Sequence, residues 1–270
     1  MAGLTQAEQR DIRSCSFEMA DAARCETLQH FRSADLVADS KDAQDFDPVT
    51  MADRNAERIM RDVLARRRPQ DGILGEEFGS ESGESGLTWV LDPIDGTRGY
   101  ISGAPTWGTL IALRDENGPV FGLIDQPYIG ERFVGGFGEA RLLGPRGERP
   151  LQTCAARPLA GATLFSTFPE VGSRAEEAAF TALSRQVQLT RYGMDCYAYA
   201  MLALGQIDLV VEAALNPYDI QAPIAVVQAA GGIVTDWRGN SAHDGGRALA
   251  AANPEIHAAA LEILSMGEGL

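Results

Sequence analysis

Trp89-Val-Leu-Asp-Pro-Ile-Asp-Gly-Thr97 is the stretch around which the chain is organised. Trp89, Val90 and Leu91 have the character of the end of a buried strand, and Pro93 with Gly96 predicts a turn immediately after it. Asp92 and Asp95 stand three apart around Pro93, so a tight turn aims both carboxylates at one point. Two unneutralised carboxylates at close range repel, and one is driven protonated unless a cation sits between them. Mg2+ suits such a pair, because it takes oxygen ligands and leaves positions for water and phosphate. Gly96 permits close approach, and the N–H groups of Gly96 and Thr97, with the threonine hydroxyl, face an anion. An acidic Asp-Pro/Asp-Gly surface turn would carry the same letters, so the rest of the chain has to decide.

The 270 residues suffice for a large core, as one domain or as two of about half the length. Hydrophobic residues make up 45%, an ordinary globular share. Against 23 basic residues stand 38 acidic ones, and the net charge of -15 opposes binding to nucleic acid or anionic membranes and favours cations. No apolar run approaches a membrane span, and no basic-then-apolar leader opens the chain, which predicts a cytoplasmic protein. Cys15, Cys25, Cys154 and Cys196 lack metal-type spacing, and the only histidines are His30, His243 and His257, so a zinc site is not expected. His30 and His257 read as surface or packing residues, and His243, in a polar Gly-rich loop, as a minor candidate for substrate contact. With so little histidine, any base is a carboxylate or a metal-activated water.

Thr5 and Glu8 form a capping-box pattern, and Ile12, Cys15, Met19 and Ala22 continue at helical spacing to about Phe31. Beyond a polar stretch containing Lys41, Thr50 is the expected N-cap of a second helix, with Asp53 at its capping-box position and a buried face of Ala52, Ala56, Ile59, Met60, Val63 and Leu64. Arg66 to Arg68 suit its end and Pro69 stops it. Ile73-Leu74 is a short strand ending in Gly75-Glu76-Glu77, a second pair of acids at a strand terminus. Gly79 to Gly86 has no core residues and reads as a mobile loop beside the site. Strands are expected at 106–113 and 120–124, joined at Asn117-Gly118, and again at 132–135 and 140–143, with Gly144-Pro145-Arg146-Gly147 as the connection between two halves. The predicted division is an α+β part, residues 1–146, and an α/β part, residues 147–270. In the latter, strands at 164–167, 188–192, 207–212, 234–237 and 249–251 alternate with helices at 173–184, 195–204, 219–230 and after Asn253.

Asn216-Pro217-Tyr218-Asp219 places one more acid at the start of a helix after a buried strand, where an N-cap and a ligand are both open readings. Gly75-Glu76-Glu77, Asp92-Pro-Ile-Asp-Gly-Thr97 and Tyr218-Asp219 followed by Gly231-Gly232 resemble, in order, the three motifs of the inositol monophosphatase family of Mg2+-dependent phosphatases, over roughly residues 40 to 240. The strings beginning at Asp95 and Tyr192 are most similar to its histidinol-phosphate phosphatase branch. A haloacid-dehalogenase type of phosphatase is set aside, because two residues, not one, separate the aspartates. Two departures from the family, Tyr218 in place of a frequent Trp and Pro223 near the first turn of its helix, touch no ligand oxygen.

The resemblance implies a layered αβαβα sandwich, usually homodimeric. It implies that Glu76, Asp92, Asp95, Asp219 and the carbonyl of Ile94 bind two or three Mg2+, with Asp95, Gly96 and Thr97 at the phosphate. Glu76 and Thr97 would activate water, Asp53 would hydrogen-bond Thr97, and Lys41 would lie nearby. The expected activity is phosphomonoester hydrolysis of a small metabolite, with L-histidinol phosphate, a step of histidine biosynthesis, preferred. Inositol phosphate and a 3'-phosphoadenosine or sugar bisphosphate are alternatives, and a noncatalytic metal or phosphate sensor is the reading from another class. For a substrate bearing an ammonium group, Asp195 and Glu212 are candidate partners, Arg191 is a candidate phosphate or carboxylate partner in the same region, and Asn216 a further candidate substrate-binding residue.

Overall fold

The structure, a computed structural model, describes residues 3–34, 36, 38–40 and 48–266; Lys41 lies outside them. Thr5 and Glu8 close the expected capping box, and α1 (Gln6–His30) follows with Ile12, Cys15, Met19 and Ala23 buried. Ala23, not Ala22, faces the core. A two-stranded ribbon of β1 (Ala38–Ser40) and β2 (Pro48–Thr50) leads into α2 (Met51–Arg67). Its buried face includes Asp53 and Glu57 in place of the expected Ile59.

Next come β3 (Gly72–Gly75), β4 (Gly79–Glu81), β5 (Thr88–Asp95), α3 (Thr97–Ile101), β6 (Gly108–Asp115), β7 (Gly118–Gln126), β8 (Glu131–Gly136), β9 (Glu139–Gly144) and β10 (Gly147–Pro150). They build one eight-stranded sheet in the order β10-β9-β8-β7-β6-β5-β3-β4. Residues 79–81 are thus an edge strand and not a loop. Ser80 and Glu81 face solvent, and backbone pairing with β3 and polar bonds from Arg61 hold the strand, which leaves no apolar signal. Gly144-Pro145-Arg146-Gly147 turns β9 into β10 within this sheet, and the chain passes to the next one only after Pro150.

The remainder comprises β11 (Thr163–Ser166), α4 (Arg174–Ser184), β12 (Leu189–Tyr192), α5 (Cys196–Ala203), β13 (Leu209–Leu215), α6 (Pro217–Ala229), β14 (Ile233–Thr235), β15 (Gly246–Ala251) and α7 (Pro254–Met266). Its sheet has the order β12-β11-β13-β15-β14. Because α6 starts at Pro217, two residues earlier than expected, Pro223 lies in its interior and cannot donate to the carbonyl of Asp219.

The layers follow from strand alternation. Trp89 and Leu91 of β5 point to one face, where they pack with Ile12, Met19, Met60 and Leu64 of α1 and α2. Val90 points to the other, against α5 and α6, which also receive Val210, Val234 and Ala250 of the second sheet. The outer face of that sheet, through Leu209, Val211 and Leu249, packs on Phe180 of α4 and Ile256 and Leu264 of α7. This is an αβαβα sandwich with α5 and α6 at its centre. The central layer sits tightly on the first sheet, since a Cβ on Gly122 would come 2.5 Å from the Ala222 carbonyl oxygen.

Candidate active site

The parallel register of β3 and β5 sets Gly75 opposite Leu91, so Glu76 leaves its strand beside Asp92, with the Glu76 N–H on the Leu91 carbonyl at 3.2 Å. The strand does not stop at Leu91 as expected. β5 runs on through Asp-Pro-Ile-Asp, and its ladder with β6 slips between Asp92↔Leu110 and Asp95↔Gly108. Pro93 has no N–H to contribute and falls in that slip. The bulge is fixed by the Thr109 hydroxyl on the Pro93 carbonyl (2.8 Å) and by the Ile94 N–H on Asp92 Oδ1 (3.0 Å). The turn comes at Gly96, in the left-handed region at φ 85°, and α3 starts directly after it.

Asp219 reaches the same point from the opposite layer. It is the third residue of α6, not the cap, and its Oδ2 accepts the Asn216 N–H at 2.7 Å. Asp92, Asp95 and Asp219 each offer an oxygen within 4.8 Å of the others. Burial, then the charges of Glu76, Asp95 and Asp219, push the Asp92 carboxyl well above the usual carboxylate range, and Asp92 and Glu76 share a hydrogen bond. Asp95 is raised by burial, Asp195 and Asp219, although the Cys196 N–H on its Oδ2 at 2.6 Å acts the other way. Such a crowd is stable as anions only around positive charge. The donor set is carboxylate oxygen throughout, so these residues fit a hard divalent cation.

Asp53, buried on α2, is pushed up to about 6, by burial first and partly by Glu76, while bonds from Thr50 pull it down. Its Oδ2 accepts the Thr50 N–H (2.8 Å) and hydroxyl (2.5 Å). The Thr97 hydroxyl donates instead to the Ile94 carbonyl at 3.1 Å, so its one proton is not on Asp53 and the expected Asp53–Thr97 bond is absent. The Ile94 carbonyl keeps a second lone pair.

Two further carboxylates border this cluster. Asp195 precedes α5 with φ 47°, and its side chain makes no cap bond. It turns to the Thr106 hydroxyl (3.4 Å) and lies against Gly96, where a Cβ would meet its Cγ at 2.8 Å. Burial pushes it up to about 6, opposed by Thr106 and Arg98. Glu212 is not at a solvated strand end, because β13 continues to Leu215 and buries it. Its Oε1 accepts the Thr167 N–H (2.7 Å) and hydroxyl (2.9 Å), and its Oε2 the Ser166 hydroxyl (3.4 Å). Burial pushes it up to about 8, with the Thr167 bonds opposing and Asp195 reinforcing.

Asn216 caps α6 at the exposed rim. Arg191 lies exposed on edge strand β12, and its side chain makes no hydrogen bond or ion pair among the described residues. His243 packs against Gly118, at the end of the β6–β7 hairpin, while Asp95 pairs at the start of β6. That hairpin end is roughly 20 Å from Asp95 at about 3.3 Å per residue, and the His243 carbonyl accepts from Gln221 of α6 at 2.9 Å. Sequence reasoning passed over Cys196, whose N–H holds Asp95, and Thr106 and Thr167, which hold Asp195 and Glu212. Nothing in the spacing marks these three. It also passed over Glu57, whose signal was available as an acid on the apolar face of α2.

The sequence model of the inositol monophosphatase family matches residues 8–266. The bifunctional phosphatase IMPL2 (chloroplastic) of Arabidopsis thaliana is 40% identical over 91% of this chain and 72% of its own. A histidinol-phosphatase of Streptomyces coelicolor is 36% identical over 88% of this chain and 91% of its own. Among solved structures, an inositol monophosphatase from Zymomonas mobilis superposes with a TM-score of 0.85 at 37% identity, covering 97% of this chain and all of the other (100%).

Proposed function

The chain belongs to the inositol monophosphatase family, and on that premise we propose that it is a Mg2+-dependent phosphomonoesterase whose substrate is L-histidinol phosphate. The observation that carries the reading is the convergence of Asp92, Asp95 and Asp219 oxygens within 4.8 Å, beside the left-handed turn at Gly96. These three, with Glu76 and the Ile94 carbonyl, would hold two or three Mg2+. When bound, the metal supplies Lewis acidity, offsetting the carboxylate charge, polarising the phosphoryl oxygens and making water a better nucleophile near neutral pH.

The chain's own residues do the rest. The N–H groups of Gly96 and Thr97 receive phosphate oxygens, and the missing side chain at Gly96 leaves room for both the phosphate and Asp195. Glu76, whose carboxylate already shares hydrogen bonding with Asp92, takes the proton of the attacking water, with the Thr97 hydroxyl orienting that water for in-line attack. Asp195 and Glu212 receive the ammonium group of the substrate. The histidinol-phosphatase relative supports that choice, and so does the presence of two carboxylates beyond the metal cluster, Glu212 buried and Asp195 half-buried.

The proposal extends to a homodimer in the cytoplasm; light scattering at twice the chain mass is the check on the former. Substrate is tested with a Mg2+ panel of histidinol phosphate, inositol 1-phosphate and 3'-phosphoadenosine 5'-phosphate. We expect the highest kcat/KM on histidinol phosphate. Preference for either of the others reassigns the substrate within the same chemistry, and no turnover on any, with phosphate bound, makes the protein a sensor.

A further inference from the structure

We infer that Glu57, held by Arg61, is a positioning residue that sets Glu76 into the acid cluster. The inference rests on the phosphatase reading above and adds to it a residue outside the proposed ligand set. Glu57 is fully buried, and besides its bond to Arg61 on the same helix its carboxylate reaches out to the turn after β3. Oε2 accepts the Glu77 N–H at 2.6 Å and Oε1 the Phe78 N–H at 3.2 Å. Three successive amides are thus committed: Glu76 to the Leu91 carbonyl of β5, Glu77 and Phe78 to Glu57. These bonds anchor the backbone of the turn that carries Glu76, which ends β3 and precedes the exposed edge strand β4.

Arg61 completes the clamp. Its Nε donates to Glu57 Oε1 at 2.8 Å, one NH group reaches Glu81 and the other the Gly79 carbonyl, both at 2.6 Å. The guanidinium neutralises a buried acid that would otherwise add its charge to the neighbouring cluster. The space is fitted to the carboxylate, since a Cβ on Gly75 would come 2.0 Å from Glu57 Oε1. Gly75 has no positive φ, so alanine there is resisted by the side chains of Glu57 and Arg61, the latter 2.8 Å from the added Cβ, and not by backbone conformation. A glutamine at Glu57 turns an NH2 toward one of two N–H donors and frees that amide. The tilt of Glu76 against Asp92 is then no longer fixed.

The test compares the full-length wild type with Glu57→Gln, Gly75→Ala and, as a control on the solvent side of the clamp, Glu81→Gln. Mn2+ binding to each protein without substrate is followed by electron paramagnetic resonance, alongside kcat, KM for p-nitrophenyl phosphate, and Tm in EDTA. Residues behind metal ligands typically change metal affinity by about 10- to 100-fold. We expect Glu57→Gln and Gly75→Ala to weaken Mn2+ binding by about tenfold or more and to lower kcat with KM little changed, while Glu81→Gln does neither. Wild-type Mn2+ affinity per folded molecule in both variants, with only a lower Tm, overturns the inference and leaves Glu57 a packing residue. Should the wild type bind Mn2+ without hydrolysing the ester, the phosphatase reading fails, and the binding arm still decides the clamp.

Discussion

Two kinds of carboxylate meet at this site, and they are held in opposite ways. Asp92, Asp95, Asp219 and Glu76 crowd one another, and their own charges help drive Asp92 up. Glu212 stands apart from that crowd, met by the Thr167 N–H and the hydroxyls of Thr167 and Ser166, while Asp195 acts on both sides, its charge raising Asp95 as well as Glu212. Crowding without compensation calls for a concentrated charge such as a divalent ion. A carboxylate kept by hydroxyls and pushed up to about 8, as Glu212 is, stays protonated until a cation arrives. An ammonium group brings that cation and draws the proton off, whereas a sugar hydroxyl does not. The contrast supports the proposed division, a metal role for the first group and a substrate role for Glu212.

The contrast breaks most visibly at Asp92. Asp92→Asn should abolish turnover while Tm in EDTA stays equal or rises, since one charge leaves a crowded cluster. A variant that unfolds but keeps its rate per folded molecule would make Asp92 a scaffold residue. The next effect is selective. A charge-assisted contact is worth roughly 1.5 to 3 kcal/mol, so Glu212→Gln should lower kcat/KM for histidinol phosphate by about tenfold or more and leave a neutral aryl phosphate almost untouched. Equal losses on both substrates would move Glu212 into the first group.

The smallest effect is on stability against pH. The folded Glu212 carboxyl titrates at about 8 against an ordinary 4.5, so between those values the folded protein holds a proton that the unfolded chain has released. Its contribution to stability is complete below about 4.5 and is lost as pH rises through about 8. Asp53 and Asp195, each raised from 3.8 to about 6, act in the same direction over a lower window. In EDTA, Tm should fall as pH rises from about 5 to about 8, and Glu212→Gln should flatten the upper part of that fall, between about 6 and 8. An unchanged slope in the variant would show that Glu212 is ionised in the folded protein at neutral pH.

What was legible in the sequence tracks what is local. Asp92-Pro-Ile-Asp-Gly carries its own turn chemistry, so the meeting of Asp92 and Asp95 could be read directly, and the capping pattern of Thr50 and Asp53 was seen in full. The αβαβα layering followed from the motif resemblance and from the alternation of strand and helix in the second half. Nonlocal facts were not legible. Glu212 sits in a strand whose residues Leu209 to Glu212 are all buried, so no alternation gave away its face. The φ of 47° at Asp195 releases its side chain from capping, and nothing in the residue itself announces that. Nor does the sequence show that Arg191 stands exposed on β12, at the edge of its sheet.

The most direct measurement is hydrolysis of p-nitrophenyl phosphate by metal-stripped protein as Mg2+ is added back. The convergence of Asp92, Asp95 and Asp219 requires no turnover in EDTA and a saturable recovery with Mg2+, lost again in Asp219→Asn. Full activity after exhaustive chelation, or undiminished recovery in Asp219→Asn, would contradict it.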